Sequence, residues 1–216
     1  MTRELRPLVK ICGLNASEAL EAAIAAGADM AGFVFFEGSP RHVDLATARR
    51  LGEIAAGRIR KVALSVDADD ATLEAIVEAL APDALQLHGD ETPTRVAEVK
   101  RRFGREVIKA IGVATAADVS KASAHDAADM LIFDAKPAPD AALPGGNGLV
   151  FDWRLMRGAT PEKPWLLSGG LDPTNVAEAL RVSGAPGVDV SSGVERARGV
   201  KDLAKIAAFV AAAHAA

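Results

Sequence analysis

Short apolar runs alternate with longer amphipathic ones from one end of the chain to the other. LVKIC (8–12), MAGFVFF (30–36), IRKVALSV (59–66), DALQLH (83–88), EVIKAIGV (106–113), MLIFDA (130–135), PWLLSGG (164–170) and GVDVSSG (187–193) read as strands. They are nearly continuous in apolar residues and end in glycine or polar positions, as expected of parallel strands buried on both faces. Between them lie stretches with helical spacing of apolar positions: 17–27, 45–57, 71–81, 92–104, 114–124, 172–184 and 201–214, with FDWRLM (151–156) as a short sixth helix. Asp172 and Pro173 suit the N-cap and first helical position of the seventh helix. Strict alternation implies a parallel sheet with right-handed crossovers. Eight units favour an α/β fold closed as a single-domain (β/α)8 TIM barrel over residues 1–216. A doubly wound open sheet is the alternative. No linker or shift in composition marks a second domain.

Length and composition narrow this without changing it. The 216 residues fall slightly below the roughly 250 of a usual barrel. A net charge of -4 argues against a nucleic-acid or anionic-membrane partner. One cysteine permits no internal disulfide and points to a reducing, cytoplasmic setting. Neither a signal peptide nor a membrane span is evident.

Barrel enzymes carry their active sites at the C-terminal ends of the strands, so what each strand ends with matters most. LSGGL (167–171) and VDVSSGVE (188–195) end the last two strands. Glycines let backbone N–H groups approach an anion, and barrels bind phosphate at this position. Gly169, Gly170, Ser192 and Gly193 are the candidate phosphate ligands, and SGVER could open a short extra helix. Alternation turns Lys10, Cys12, Asp134 and Asp189 into the barrel while Val9, Ile11, Leu131 and Phe133 face the helices. A phosphate at strands seven and eight lies between Asp134 on one side and Cys12 on the other, which suits proton transfer at neighbouring carbons. Lys10 is a cation placed to lower the thiol's pKa. A free cysteine is also commonly an inert core residue, and both readings of Cys12 stand at this point. Arg41 could pair with a carboxylate or lie solvated on the surface. His88 could orient substrate or cap its strand. His/Cys/Asp/Glu clusters with metal-ligand spacing and nucleotide-binding glycine motifs are absent from the sequence.

VKICGL, GFVFFEGSPRHV, LQLHGDE, LIFDAK, GGNGLVFDW, LSGGLDPTNV and VDVSSGVE occur in this order over nearly the whole chain. Together they resemble the phosphoribosylanthranilate isomerase family. The resemblance implies a (β/α)8 barrel, monomeric or homodimeric, that needs no metal or organic cofactor and acts on a small phosphosugar. The implied reaction is the Amadori rearrangement of N-(5-phosphoribosyl)anthranilate in tryptophan biosynthesis. It implies Cys12 as general base, Asp134 as general acid, Arg41 as the ligand of the anthranilate carboxylate and Asp189 as a polar position near the anthranilate. The phosphate loops fall on Gly169, Gly170, Ser192 and Gly193. The third strand's ending, ALSVDAD, and an extended loop, PAPDAAL (137–143), depart from the family pattern. Other phosphate-binding barrels, such as indole-3-glycerol-phosphate synthase or ribulose-phosphate epimerase, are the nearest alternatives. A non-catalytic phosphosugar-binding module is the other class.

Overall fold

The computed structural model describes residues 6–136, 145, 148–157 and 162–216. Strands β1 (Leu8–Cys12), β2 (Met30–Phe35), β3 (Arg60–Ser65), β4 (Ala84–Leu87), β5 (Glu106–Val113), β6 (Met130–Ala135), β7 (Trp165–Leu167) and β8 (Gly187–Val190) close into one barrel in chain order. The open-sheet alternative is therefore excluded. Closure runs through parallel pairing of β1 with β8, with Lys10 opposite Asp189 and Ile11 opposite Val190. The strands are one to four residues shorter than their apolar runs where those runs continue into loops.

Helices α1 (Ser17–Ala26), α2 (Leu45–Ala55), α3 (Asp70–Leu80), α4 (Pro93–Phe103), α5 (Ala116–Ser120), α6 (Val176–Ser183) and α7 (Leu203–His214) cover the barrel. Local chemistry starts several of them. Asp44 and Asp69 accept hydrogen bonds from Thr47 N and Thr72 N, and Thr92 accepts from Arg95 N ahead of Pro93. The expected sixth helix is only a 3-10 turn, Trp153–Met156. Six residues rich in bulky side chains are too few to repay helix nucleation. The expected cap at Asp172 is also shifted. Its Oδ1 accepts from Thr174 N at 2.7 Å and Asn175 N at 3.2 Å, which holds a turn, and α6 begins only at Val176. SGVER opens no real helix: a 3-10 turn, Ser192–Val194, leads into a hairpin of β9 (Glu195–Ala197) and β10 (Val200–Lys201). The extended loop PAPDAAL lies outside the described residues.

The period-two reading of the strands holds. Val9, Ile11, Phe33, Leu131 and Phe133 join the layer between strands and helices. Met30, Val62, Ala84, Ile108, Met130 and Leu166 fill the barrel interior. Above that plug sit Cys12, Val34 and Leu64. Polar groups join the apolar filling from Cys12 upward, and the mouth above it is lined by both kinds.

Candidate active site

The C-terminal ends of the strands frame a mouth with about 770 Å³ of empty space, partly open to solvent. Cys12, Arg41, His88, Asp134, Asp189 and Ser192 all line it, together with Gly169 and Gly170. Eight of the nine candidate catalytic and ligand positions read from the sequence thus meet at one cavity, with Lys10 beneath it. Gly193 does not line it. A Cβ there would lie 1.8 Å from the Leu171 carbonyl oxygen, so this glycine lets the two phosphate-loop segments touch.

Cys12 ends β1 and is 4% exposed. Beneath it Lys10, wholly buried, donates from Nζ to Asp189 Oδ1 at 2.7 Å. Asp189 Oδ2 takes a longer contact, 3.4 Å, from Ser168 Oγ. A Cβ on Gly32 of β2 would sit 3.0 Å from Cys12 Sγ and 3.1 Å from Lys10 Nζ. Gly32 thus makes the space into which thiol and ammonium both point. Its signal was present in the sequence, since a glycine inside a strand marks a close approach. Burial alone lowers the pKa of Lys10, but Asp189 and the charge of Cys12 outweigh it, so Lys10 lies above the ordinary ammonium value and stays charged. For Cys12, burial pushes the thiol up, Lys10 opposes, Asp189 reinforces and Lys201 opposes again, with a net rise. The expected acidifying effect of Lys10 is therefore real but smaller than the cost of burial.

Asp134, on β6, faces Cys12 across the mouth. Its Oδ1 accepts from Ala135 N at 2.8 Å, and its Oδ2 lies 3.4 Å from His88 Nε2. His88 thus contacts a carboxylate, beyond the capping role it was also offered. Gln86, fully buried on β4 and not anticipated from the sequence, places Nε2 3.1 Å from His88 Nδ1. A Gln86 amide donating to Nδ1 leaves the ring proton on Nε2, facing Asp134. Gly145 covers this group: a Cβ there would come 2.7 Å from His88 Nε2 and 2.9 Å from Asp134 Oδ2.

Gly169 and Gly170 follow β7 with φ of 91° and 61°, and a Cβ on Gly170 would fall 2.3 Å from Val150 Cγ2. This left-handed pair turns the backbone between Ser168 and α6 in a way side-chain-bearing residues resist. Across from it, Ser191 and Ser192 follow β8 into the 3-10 turn.

Arg41 is not a solvated surface residue. It is 4% exposed, and its Nε and NH2 donate to Glu195 Oε1 and Oε2 at 2.7 and 3.1 Å. Lys201 on β10 donates to Glu195 Oε1 at 3.0 Å and to the Ser191 carbonyl at 2.8 Å. This Arg–Glu–Lys group is buried. It ties the loop after β2 to the loop after β8. Nothing in the sequence pattern announced it, because β9 and β10 are too short to show a period. Gly13, just after Cys12, has φ 75°, and a Cβ there would meet Arg41 Cδ at 2.6 Å. The glycine of KICG is what lets the arginine stem cross the end of β1. Gly13→Ala should therefore cost about 1–3 kcal/mol in backbone strain alone, read as a lowered denaturation midpoint; an unchanged midpoint would contradict this packing.

Burial raises the Glu195 carboxyl, but Arg41 and Lys201 more than offset that and hold it below its ordinary 4.5. A depressed carboxylate stabilises the fold fully above 4.5 and loses that contribution as pH falls through its folded value. The denaturant midpoint of Glu195→Gln should accordingly fall less on acidification below 4.5 than that of the parent protein. Parallel curves would assign the acid sensitivity elsewhere.

The two lysines on β1 and β5 are both engaged. Lys10 is held by Asp189, and Lys109 by the Gly89 carbonyl at 2.7 Å and Glu91 at 2.8 Å. No group of three or more His, Cys, Asp or Glu among the described residues is arranged to hold a metal ion.

A family model described as N-(5'phosphoribosyl)anthranilate (PRA) isomerase matches residues 9–212. The chain belongs to this family. It is 57% identical over 209 residues to the N-(5'-phosphoribosyl)anthranilate isomerase of Rhodopseudomonas palustris, covering 96% of each chain. It is 57% identical over 208 residues to that of Parvibaculum lavamentivorans, covering 95% of this chain and 97% of the relative. Among solved structures, phosphoribosyl anthranilate isomerase from Thermotoga maritima matches with TM-score 0.85 and 31% identity, over 97% of this chain and all of that one (100%). A family member solved with reduced 1-(o-carboxyphenylamino)-1-deoxyribulose 5-phosphate matches with TM-score 0.83 and 30% identity over 97% and 100% of the two chains.

Proposed function

We propose that Asp134 is the general acid and Cys12 the general base with which this chain carries out the reaction of its family. That reaction turns N-(5-phosphoribosyl)anthranilate into 1-(2-carboxyphenylamino)-1-deoxyribulose 5-phosphate, in tryptophan biosynthesis. The observation that carries the assignment is the facing of one carboxyl group and the sole thiol across a mouth walled by the Gly169–Gly170 and Ser191–Ser192 segments. A substrate whose phosphate rests on those segments lays its ribose between the two groups.

In this reading Asp134 gives its proton to the furanose ring oxygen as the C1′–O bond breaks. The anthranilate nitrogen supplies the electron pair that forms the C1′=N bond. The Cys12 thiolate then takes the proton from C2′, and the electrons move through C1′ back to nitrogen, giving an enolamine. Loss of the C2′ hydroxyl proton and gain of a proton at C1′ yield the ketone. His88, beside Asp134, holds the acid toward the ring oxygen. Arg41, presented on the wall by Glu195, recognises the anthranilate carboxylate. Asp189 acts below the substrate, because Lys10 holds one of its oxygens.

One barrel domain carries the whole activity in this account. Its partner is a small phosphosugar and its setting the cytoplasm. No helix among the described residues is long and apolar enough to cross a membrane.

A fluorescence assay following loss of phosphoribosylanthranilate tests the activity. Within it, Gly170→Asp should raise KM strongly, since it adds a charge and an unfavourable φ where the phosphate rests. An unchanged KM would move the phosphate to another part of the mouth.

A further inference from the structure

Lys10 is buried, charged and too deep to reach a substrate, yet it sits next to the reactive thiol. A buried ammonium is costly to desolvate and persists only where its neighbours repay it. Asp189 is one such neighbour, directly across the β1–β8 seam. A clasp for barrel closure would need no more than that pair. The geometry around Gly32 goes further. Sγ and Nζ both crowd the point where a Cβ would stand, at 3.0 and 3.1 Å, so β2 gives up its side chain to let them meet. Cys12 faces Lys10 from its own strand, Asp189 from β8 and Lys201 from β10. Lys201 is in turn paired with Glu195 and bound to the Ser191 carbonyl. Arg41, Asp134 and His88 line the mouth above. Of the cations, Lys10 is the one that shares the Gly32 gap with the sulfur and is wholly buried beside it.

We propose that Lys10 is a positioning residue for the base: it carries the negative charge of the Cys12 thiolate, and Asp189 meters how much of that positive charge the sulfur receives. This rests on Cys12 being the base, but it concerns the thiol itself and can be read without turnover. It also predicts effects of opposite sign for the two partners. Losing Lys10 removes the stabilising cation. Losing the Asp189 charge frees Lys10 to act on the sulfur alone.

The test is the rate of iodoacetamide alkylation as a function of pH, followed by the intact mass of the full-length protein. Cys12 is the only cysteine and lines the open mouth, so thiol alkylation is at the site, and the rate of Cys12→Ser is subtracted as the background at other side chains. The thiolate is the reacting form. Lys10→Met should slow alkylation near pH 8 about tenfold and move the profile to higher pH by about one unit. Asp189→Asn should speed alkylation and move the profile the other way. Should Lys10→Met fail to fold, Lys10→Met/Asp189→Asn, which leaves no unpaired charge, is compared with Asp189→Asn and should again be slower. Rates equal within twofold across folded variants, or shifts of the same sign for both partners, would overturn the proposal and leave the pair a clasp of the barrel. Failure of the base assignment gives a different result: Cys12→Ser retains turnover while the alkylation shifts stand.

Discussion

Cys12→Ser should turn over phosphoribosylanthranilate at least about 100-fold more slowly than the parent protein, the scale of a lost general base. The substitution keeps size and position, and the side chain still faces Gly32 and Lys10. What changes is acidity. A hydroxyl in that buried place is far harder to ionise than a thiol, even with Lys10 beside it. The loss should fall on kcat, because the sulfur acts on the C2′ proton in the transition state and does little for ground-state binding. Product affinity should therefore hold within a small factor. Since burial sets the thiol above its ordinary value, only a minority of it is ionised at neutrality. The parent kcat/KM should accordingly climb with pH above neutrality. Near-parent turnover in Cys12→Ser, or a flat pH profile, would remove Cys12 from the role.

Asp134→Asn should be as damaging, again by about 100-fold or more in kcat. Asparagine preserves the shape and its one accepting oxygen can keep the hydrogen bond from Ala135 N, but its amide has no acidic proton to give the ring oxygen. The ring then opens only when solvent supplies that proton. Rate loss without loss of fold is the expected signature, with the melting midpoint close to the parent's. Substantial activity in Asp134→Asn would shift the acid role to His88, whose Nε2 lies beside the same carboxyl oxygen.

Much of this site could be read from the chain because strand periodicity and barrel topology convert sequence position into direction. Once eight strands were counted, Cys12, Asp134 and Asp189 had to point inward at the same end of the barrel, and the glycine pairs had to border them. What the sequence did not reveal depends on contacts between distant residues. Arg41 looked equally suited to solvent, and only its bidentate pairing with Glu195, 154 positions away, buries it. Gln86 sat unnoticed in LQLH, although its place two residues before His88 on the same face of β4 follows from period two. Gly32 was legible in principle, but its purpose needed the positions of two side chains on the next strand. The sixth helix was overread because a short apolar cluster does not distinguish one 3-10 turn from the start of a helix.

Deuterium at C2′ of the substrate separates the two proposed proton transfers in a single experiment. With Cys12 as base and Asp134 as acid, Cys12→Ser makes C2′ proton abstraction limiting, and its isotope effect on kcat/KM should rise to a full primary value. Asp134→Asn makes ring opening limiting, and its isotope effect should approach unity. The reverse pattern, or isotope effects unchanged by both substitutions, would contradict the assignment of acid and base.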